Sequence, residues 1–392
     1  MNAQPRARFP MQALPPWRRA VLKVGSSLLS EAGQLTTRNA QALARFIATS
    51  RAAGREVVLV SSGAVAAGRA QLSRTSTLSG GLVLRQALAA LGQTQMIALW
   101  QSLIAMPVAQ VLLSHDDLRN RRRYLNARNT LLELLKLGAL PVVNENDTVA
   151  VEELKLGDND NLAAMVAALI DADLLLIASD VDGLYSAHPQ RDPGAKPVLL
   201  VDALTPQIFA MAGDAGSTLG TGGMRTKLEA AHKATSAGIA TVLFNGTDAA
   251  AIDELAGGVL RGTRIVAAGT RLAARKHWLR HAPGALAAAI QIDAGAARAL
   301  RDGRSLLPGG IVAVNGEFAR GDLVDIVAVD TTGGADASAA PIARGLTQYS
   351  ANEARRIAGK KSSAIEAILG FSYGDTLVHR DDLVVFDTAL PA

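Results

Sequence analysis

The chain has 392 residues, 49% of them apolar and 4% aromatic, with no cysteine; this length favours two domains, and the composition excludes a disulfide framework, a thiolate metal site and a thiol nucleophile. The net charge of +5 does not by itself mark a nucleic-acid binder. Four of the 40 basic side chains, Arg6, Arg8, Arg18 and Arg19, lie in the first 19 residues, where no acidic residue stands, and the other 36 meet 35 carboxylates.

Residues 1–17 carry Pro5, Pro10, Pro15 and Pro16 and lack the apolar core of a signal peptide, so they read as a disordered tail, with Met11 as an alternative start. A cytoplasmic location is the expectation. Apolar, β-branched runs then recur at residues 20–24 (AVLKV), 56–60 (EVVLV), 108–113 (VAQVLL), 140–143 (LPVV), 174–177 (LLLI) and 240–244 (ATVLF). Helical segments at 37–53, 82–105, 124–137, 162–170 and 224–237 separate most of them. This alternation predicts an α/β fold, a three-layer αβα sandwich around a mainly parallel sheet. The uncharged stretch 86–114 is long enough to span a bilayer, but Gln93, Gln95, Gln101, Gln110, Gly92 and Pro107 divide it into a helix and a strand. No membrane segment is expected. The βα pattern covers residues 18–268 and stops at a linker, 269–284. Beyond it, strands at 288–292, 310–314 and 321–327 and a helix near 352–358 predict a small β-rich domain over 285–385, with a low-complexity mobile loop at 330–341.

Strand after strand ends in small or polar residues: Gly25 and Ser26, Ser61 and Ser62, Asn144 to Asp147, Ser179 and Asp180, Asn245 and Gly246. Ligands of open α/β sheets bind outside the carboxyl ends of the strands, so this rim is the candidate site. Lys23 stands inside an apolar strand, where a lysine is costly unless its head reaches an anion. A second basic element, residues 220–227 (GTGGMRTK), places glycines before a helix, where free N–H groups and the helix dipole favour phosphate, and Lys227 adds a charge one turn in. Asp158, Asn159, Asp160 and Asn161 begin like a calcium loop, but Leu162 breaks the pattern and no protein-held metal is expected. Arg119, Arg121, Arg122, Arg123 and Arg128 read as the solvated face of a helix.

Together these motifs resemble the glutamate 5-kinase family, amino-acid-kinase-fold enzymes of proline biosynthesis with a C-terminal PUA domain. The resemblance spans about residues 18–385 and rests on residues 21–26 (VLKVGS), 60–68 (VSSGAVAAG), 124–128 (YLNAR), 143–147 (VNEND), 157–162 (GDNDNL), 220–227 and 355–359 (RRIAG). It implies that 18–268 is the catalytic domain and 285–385 the PUA domain. It further implies transfer of the γ-phosphoryl group of ATP, bound with Mg2+, to the side-chain carboxylate of L-glutamate. A carboxylate with a free pKa of ~4.3 is already ionised at neutral pH, so such a reaction needs positive charge and alignment rather than a general base.

By the same resemblance Lys23 and Lys227 flank the transferring group, Asp160 organises them, and Asp158 lends electrostatic support. Ser62, Asp147 and Asn159 hold glutamate, Asp147 facing its α-ammonium. Lys23, Ser179, Asp180, Thr221, Gly222, Gly223, Met224, Arg225, Thr226 and Lys227 contact ATP, although Arg225 departs from the small or uncharged residue usual there. Feedback inhibition by proline, a homo-oligomer (dimer or tetramer) and contact with the next enzyme of the proline pathway are also implied. Two alternatives stay open: a related kinase acting on acetylglutamate, aspartate, carbamate or UMP, and an RNA-binding role through the PUA domain, which the near-neutral body ranks lower.

Overall fold

The computed structural model describes residues 9–31, 34–72, 81–149, 159–189, 192, 194–212, 223–269, 288–329 and 340–386, the side chains of residues 119 and 121 excepted. The apolar runs form the strands: β1 (Arg19–Val24), β2 (Glu56–Ser61), β3 (Val108–Leu113), β4 (Leu140–Glu145), β5 (Leu174–Ser179), β6 (Leu200–Val201), β7 (Ala240–Asn245) and β8 (Gly262–Ile265). They make one sheet in the order β3-β4-β2-β1-β5-β7-β8-β6, with every neighbouring pair parallel except β7 and β8. The longer helices around it are α1 (Arg38–Ala52), α2 (Ala64–Gln71), α3 (Leu82–Leu103), α4 (Arg121–Lys136), α5 (Asn159–Leu169), α6 (Met224–Ser236) and α7 (Ala249–Ala256).

Strand alternation sorts the two faces. Ala20, Leu22 and Val24 of β1 join Val57 and Leu59 of β2 and Leu140 and Val142 of β4 in a buried cluster with Phe46 of α1, Met96 and Trp100 of α3 and Ile252 of α7. Val21 and Lys23 therefore point to the opposite face, where α5 packs against β1 and α6. Helices α2 and α3 meet through glycines: a Cβ on Gly68 would lie 1.9 Å from the Leu88 carbonyl oxygen, and one on Gly92 1.9 Å from that of Ala64. Side chains at either position would force the helices apart.

The chain divides into two compact units, one drawn from residues 1–119 and 126–271, the other from 120–125 and 272–392. The second holds a five-stranded sheet of β9 (Ala289–Ile292), β10 (Ile311–Asn315), β11 (Leu323–Ala328), β12 (Ala343–Thr347) and β13 (Val378–Val385), in the order β10-β9-β11-β12-β13. Only β9 and β11 run parallel; the other neighbours are antiparallel. Its helix Ala351–Ile357 opens with a capping box between Ser350 and Glu353. No helix among the described residues is long and apolar enough to cross a membrane.

Two expectations are corrected. Residues 9–17 are not a disordered tail: Phe9 and Trp17 are buried, and Gln12–Ala13 pairs antiparallel with Val259–Leu260. The proline content hid two aromatic anchors, each worth on the order of 2 kcal/mol when buried. Arg128 does not belong to a solvated face; its guanidinium is largely buried and pairs with Asp171 at 2.5 Å. The expected loop at 330–341 and the linker lie almost wholly outside the described residues.

Candidate active site

The carboxyl ends of β1, β2, β4 and β5 line up at one rim, since Lys23 stands level with Val60 and Ile177, and Val24 with Ser61. The chain turns over this rim at Gly63, whose φ of 110° lies in the left-handed region that glycine adopts without strain. The backbone N–H of Ser62 still donates to the Val24 carbonyl at 3.0 Å, so its hydroxyl is carried just past the sheet edge.

On one side of the rim is a knot of charge. Helix α5 begins at Asn159, two residues into the polar run, so Asp160 falls in its first turn, where the helix dipole favours an anion. Asp160 is fully buried, with Lys23 and Lys227 nearly so. The Lys23 ammonium pairs with Asp160 Oδ1, and Lys227 Nζ lies 3.2 Å from Oδ2. Thr226 Oγ1 donates to the same Oδ2 at 3.2 Å and lies 2.8 Å from the Gly223 carbonyl, tying the start of α6 to the carboxylate. Two ammonium groups thus share one buried carboxylate, which leaves positive charge in a dry site and fits a polyphosphate anion.

On the other side is a chain of neutral groups. Asn159 Nδ2 donates to Ser62 Oγ at 2.6 Å and to Asn144 Oδ1 at 3.0 Å, and Asn144 Nδ2 donates to Gln93 Oε1 at 2.9 Å. Asn144 follows Leu140 and Val142 by twos, which turns it toward α3 and Gln93. One helical heptad later on α3, Trp100 Nε1 donates to Ser61 Oγ at 2.8 Å and fixes the end of β2.

Beyond β4, two carboxyls stand close together. Burial pushes Glu145 up to about 7, with the Asp147 charge adding to the rise and the Arg85 guanidinium opposing it. Burial likewise raises Asp147, again opposed by Arg85. At the neighbouring strand ends Ser179 Oγ donates to Asp180 Oδ1 at 3.2 Å.

The expected residues therefore gather in groups: Lys23, Asp160, Thr226 and Lys227; Ser62 and Asn159; Ser179 and Asp180; and Asp147 beside Glu145. Gly223 and Met224 begin α6, while Arg225 turns to the surface and pairs with Glu229 at 3.2 Å. Asp158, Thr221 and Gly222 lie outside the described residues. Sequence reasoning missed Gln93, Trp100 and Arg85 as site residues, and placed Asn144 on the rim without giving it a role. Gln93 was visible only as a polar interruption of an apolar helix.

Comparison with known proteins identifies the family. Residues 18–245 match the model of the amino acid kinase family, and residues 288–369 that of the PUA domain. A glutamate 5-kinase of Xylella fastidiosa (strain M12) is 62% identical over 383 residues, 97% of this chain and 98% of the relative. A glutamate 5-kinase of Xanthomonas axonopodis pv. citri (strain 306) is 63% identical over 367 residues, 93% of this chain and all of the relative.

Proposed function

Because this chain belongs to the amino acid kinase family and, within it, to the glutamate 5-kinases, we propose that it transfers the γ-phosphoryl group of ATP to the side-chain carboxylate of L-glutamate. The product is L-glutamyl 5-phosphate, and the reaction opens proline biosynthesis. The observation that carries this reading is the sharing of buried Asp160 by Lys23 and Lys227.

The nucleophile is already ionised, so the barrier is repulsion between two anions. Lys23 and Lys227 place fixed positive charge where negative charge spreads in the transition state, and Asp160 holds both in register before substrate arrives. The free N–H groups at the start of α6 and the segment from Thr221 to Lys227, apart from the surface-turned Arg225, receive the nucleotide phosphates, with Ser179 and Asp180 on the neighbouring strand end and Asp158 in electrostatic support. Mg2+ bound with the nucleotide supplies further positive charge to the phosphate oxygens. Ser62 and Asn159 hold the amino acid, and Asp147 pairs with its α-ammonium. Proline, which shares the α-amino and carboxylate pattern of glutamate, acts at this site as an inhibitor, and the enzyme works as a homo-oligomer able to meet the next enzyme of the pathway.

The test is ATP turnover with glutamate, aspartate and acetylglutamate in parallel, the acyl phosphate being trapped with hydroxylamine. Hydroxamate formed from glutamate alone is the expected result. Turnover of acetylglutamate or aspartate instead would reassign the substrate.

A further inference from the structure

Hydrogen bonds between neutral amides have a direction, and the chain at the rim has only two consistent ones. With Gln93 Oε1 accepting from Asn144 Nδ2, Asn144 Oδ1 must accept from Asn159 Nδ2, and Ser62 Oγ then accepts from the same nitrogen. The Ser62 hydroxyl hydrogen is left to donate elsewhere, and Asn159 Oδ1 is left to accept. If Gln93 presented its NH2 group to Asn144 instead, two donors would meet, and each amide in turn would have to flip. Ser62 would then spend its hydrogen on Asn159. The two states offer opposite hydrogen-bonding faces to anything bound at the rim.

We infer that Gln93 is a positioning residue that sets the polarity of the Gln93–Asn144–Asn159–Ser62 chain, so that the Ser62 hydroxyl donates to the α-carboxylate of glutamate and Asn159 Oδ1 accepts from its α-ammonium. This rests on the reading of glutamate as substrate. Three observations support it. Gln93 is buried, 7% exposed, on a helix face otherwise formed here by Leu88, Ala89, Gly92 and Met96, where an unneeded amide is costly. Its Oε1 accepts from Asn144 Nδ2 at 2.9 Å while its Nε2 has no hydrogen-bond partner among the described residues, so Gln93 joins the chain through its carbonyl. Gly92 holds α3 against the Ala64 carbonyl and the Gly68 nitrogen, which fixes where Gln93 enters the site.

Gln93→Met keeps the length of the side chain and removes the acceptor, whereas Gln93→Glu keeps an acceptor oxygen in either protonation state. In Gln93→Met the glutamate KM should rise about tenfold, the equivalent of one lost buried hydrogen bond. The ATP KM and kcat at saturating glutamate should stay within about threefold. Gln93→Glu should keep the glutamate KM within about threefold of the parent, and thermal unfolding of all three proteins checks that the fold is intact. In a Ser62→Ala background, Gln93→Met should add less than it does alone, because the chain it directs has lost its end. The proposal is overturned if Gln93→Met leaves the glutamate KM unchanged, if Gln93→Glu weakens glutamate as much as Gln93→Met, or if both KM values move together. A wild-type enzyme that forms no glutamyl hydroxamate overturns the substrate reading itself, which a normal wild-type result with an unaltered Gln93→Met does not.

Discussion

The two sides of the rim are held together by different forces. Around Asp160 the interactions are between full charges in a buried setting, strong and indifferent to which way an amide faces. Around Asn159 they are between neutral groups, individually modest, and their value lies in direction. Adjacent residues of one helix, Asn159 and Asp160, feed the two sides, because successive side chains on α5 point about 100° apart. On the proposed function, a single helix start thus divides the labour: charge for the phosphoryl group, polarity for the amino acid.

If that division holds, substitutions on the charged side should act on turnover and those on the neutral side on substrate affinity. Lys23→Ala and Lys227→Ala should each lower kcat by about 100- to 1000-fold, since each removes a charge proposed to act on the transition state. Steady-state kinetics at saturating substrates measures this, and near-normal turnover in either variant would remove that lysine from the mechanism. Asp147→Asn should come next, raising the glutamate KM about ten- to a hundredfold while kcat changes far less, because it would lose the pairing proposed with the bound α-ammonium. An unchanged glutamate KM would take Asp147 out of the substrate site.

The charged side was legible in the sequence and the neutral side only in part, for a physical reason. A lysine inside the apolar run 20–24 violates the cost of burying a charge, so Lys23 announces a partner, and the glycines before Lys227 announce a helix start. The parallel core of the sheet follows from the alternation of runs and helices, whereas antiparallel β8 and two-residue β6 are too short to carry a period. Gln93 carries no charge and breaks no rule of composition; its meaning depends on Asn144, 51 residues away. Phe9 and Trp17 were hidden in the same way, since only the folded body offers the surfaces that bury them.

A smaller effect concerns pH. Glu145 has its carboxyl raised from 4.5 to about 7. Below pH 4.5 the folded and unfolded forms are both protonated there, and between 4.5 and about 7 only the folded form keeps the proton. Stability from this group is therefore full at low pH and is lost as pH rises to about 7. The same ionisation adds a negative charge beside Asp147, where the proposed function puts the α-ammonium of glutamate, and so favours the bound substrate. The glutamate KM should accordingly fall a few-fold, about two- to fivefold, from pH 6 to pH 8. Glu145→Gln, which imitates the protonated form, should flatten both profiles; identical pH profiles for parent and variant would show that Glu145 is not their source.

The smallest effect is expected at Arg225, which stands inside the nucleotide segment by sequence and outside it by geometry. Its guanidinium and the Glu229 carboxylate are 57% and 42% exposed, one turn apart on the surface of α6. Exposed pairs of this spacing contribute about 0.3–0.5 kcal/mol. Lys227, two positions on, lies on a different face of the helix and is buried against Asp160. Arg225→Ser should therefore leave the ATP KM within about twofold and shift thermal unfolding by no more than a degree or two. A tenfold loss of ATP affinity would mean that Arg225 abandons Glu229 for the phosphates when nucleotide binds, and the charged side of the rim would then number three cations rather than two.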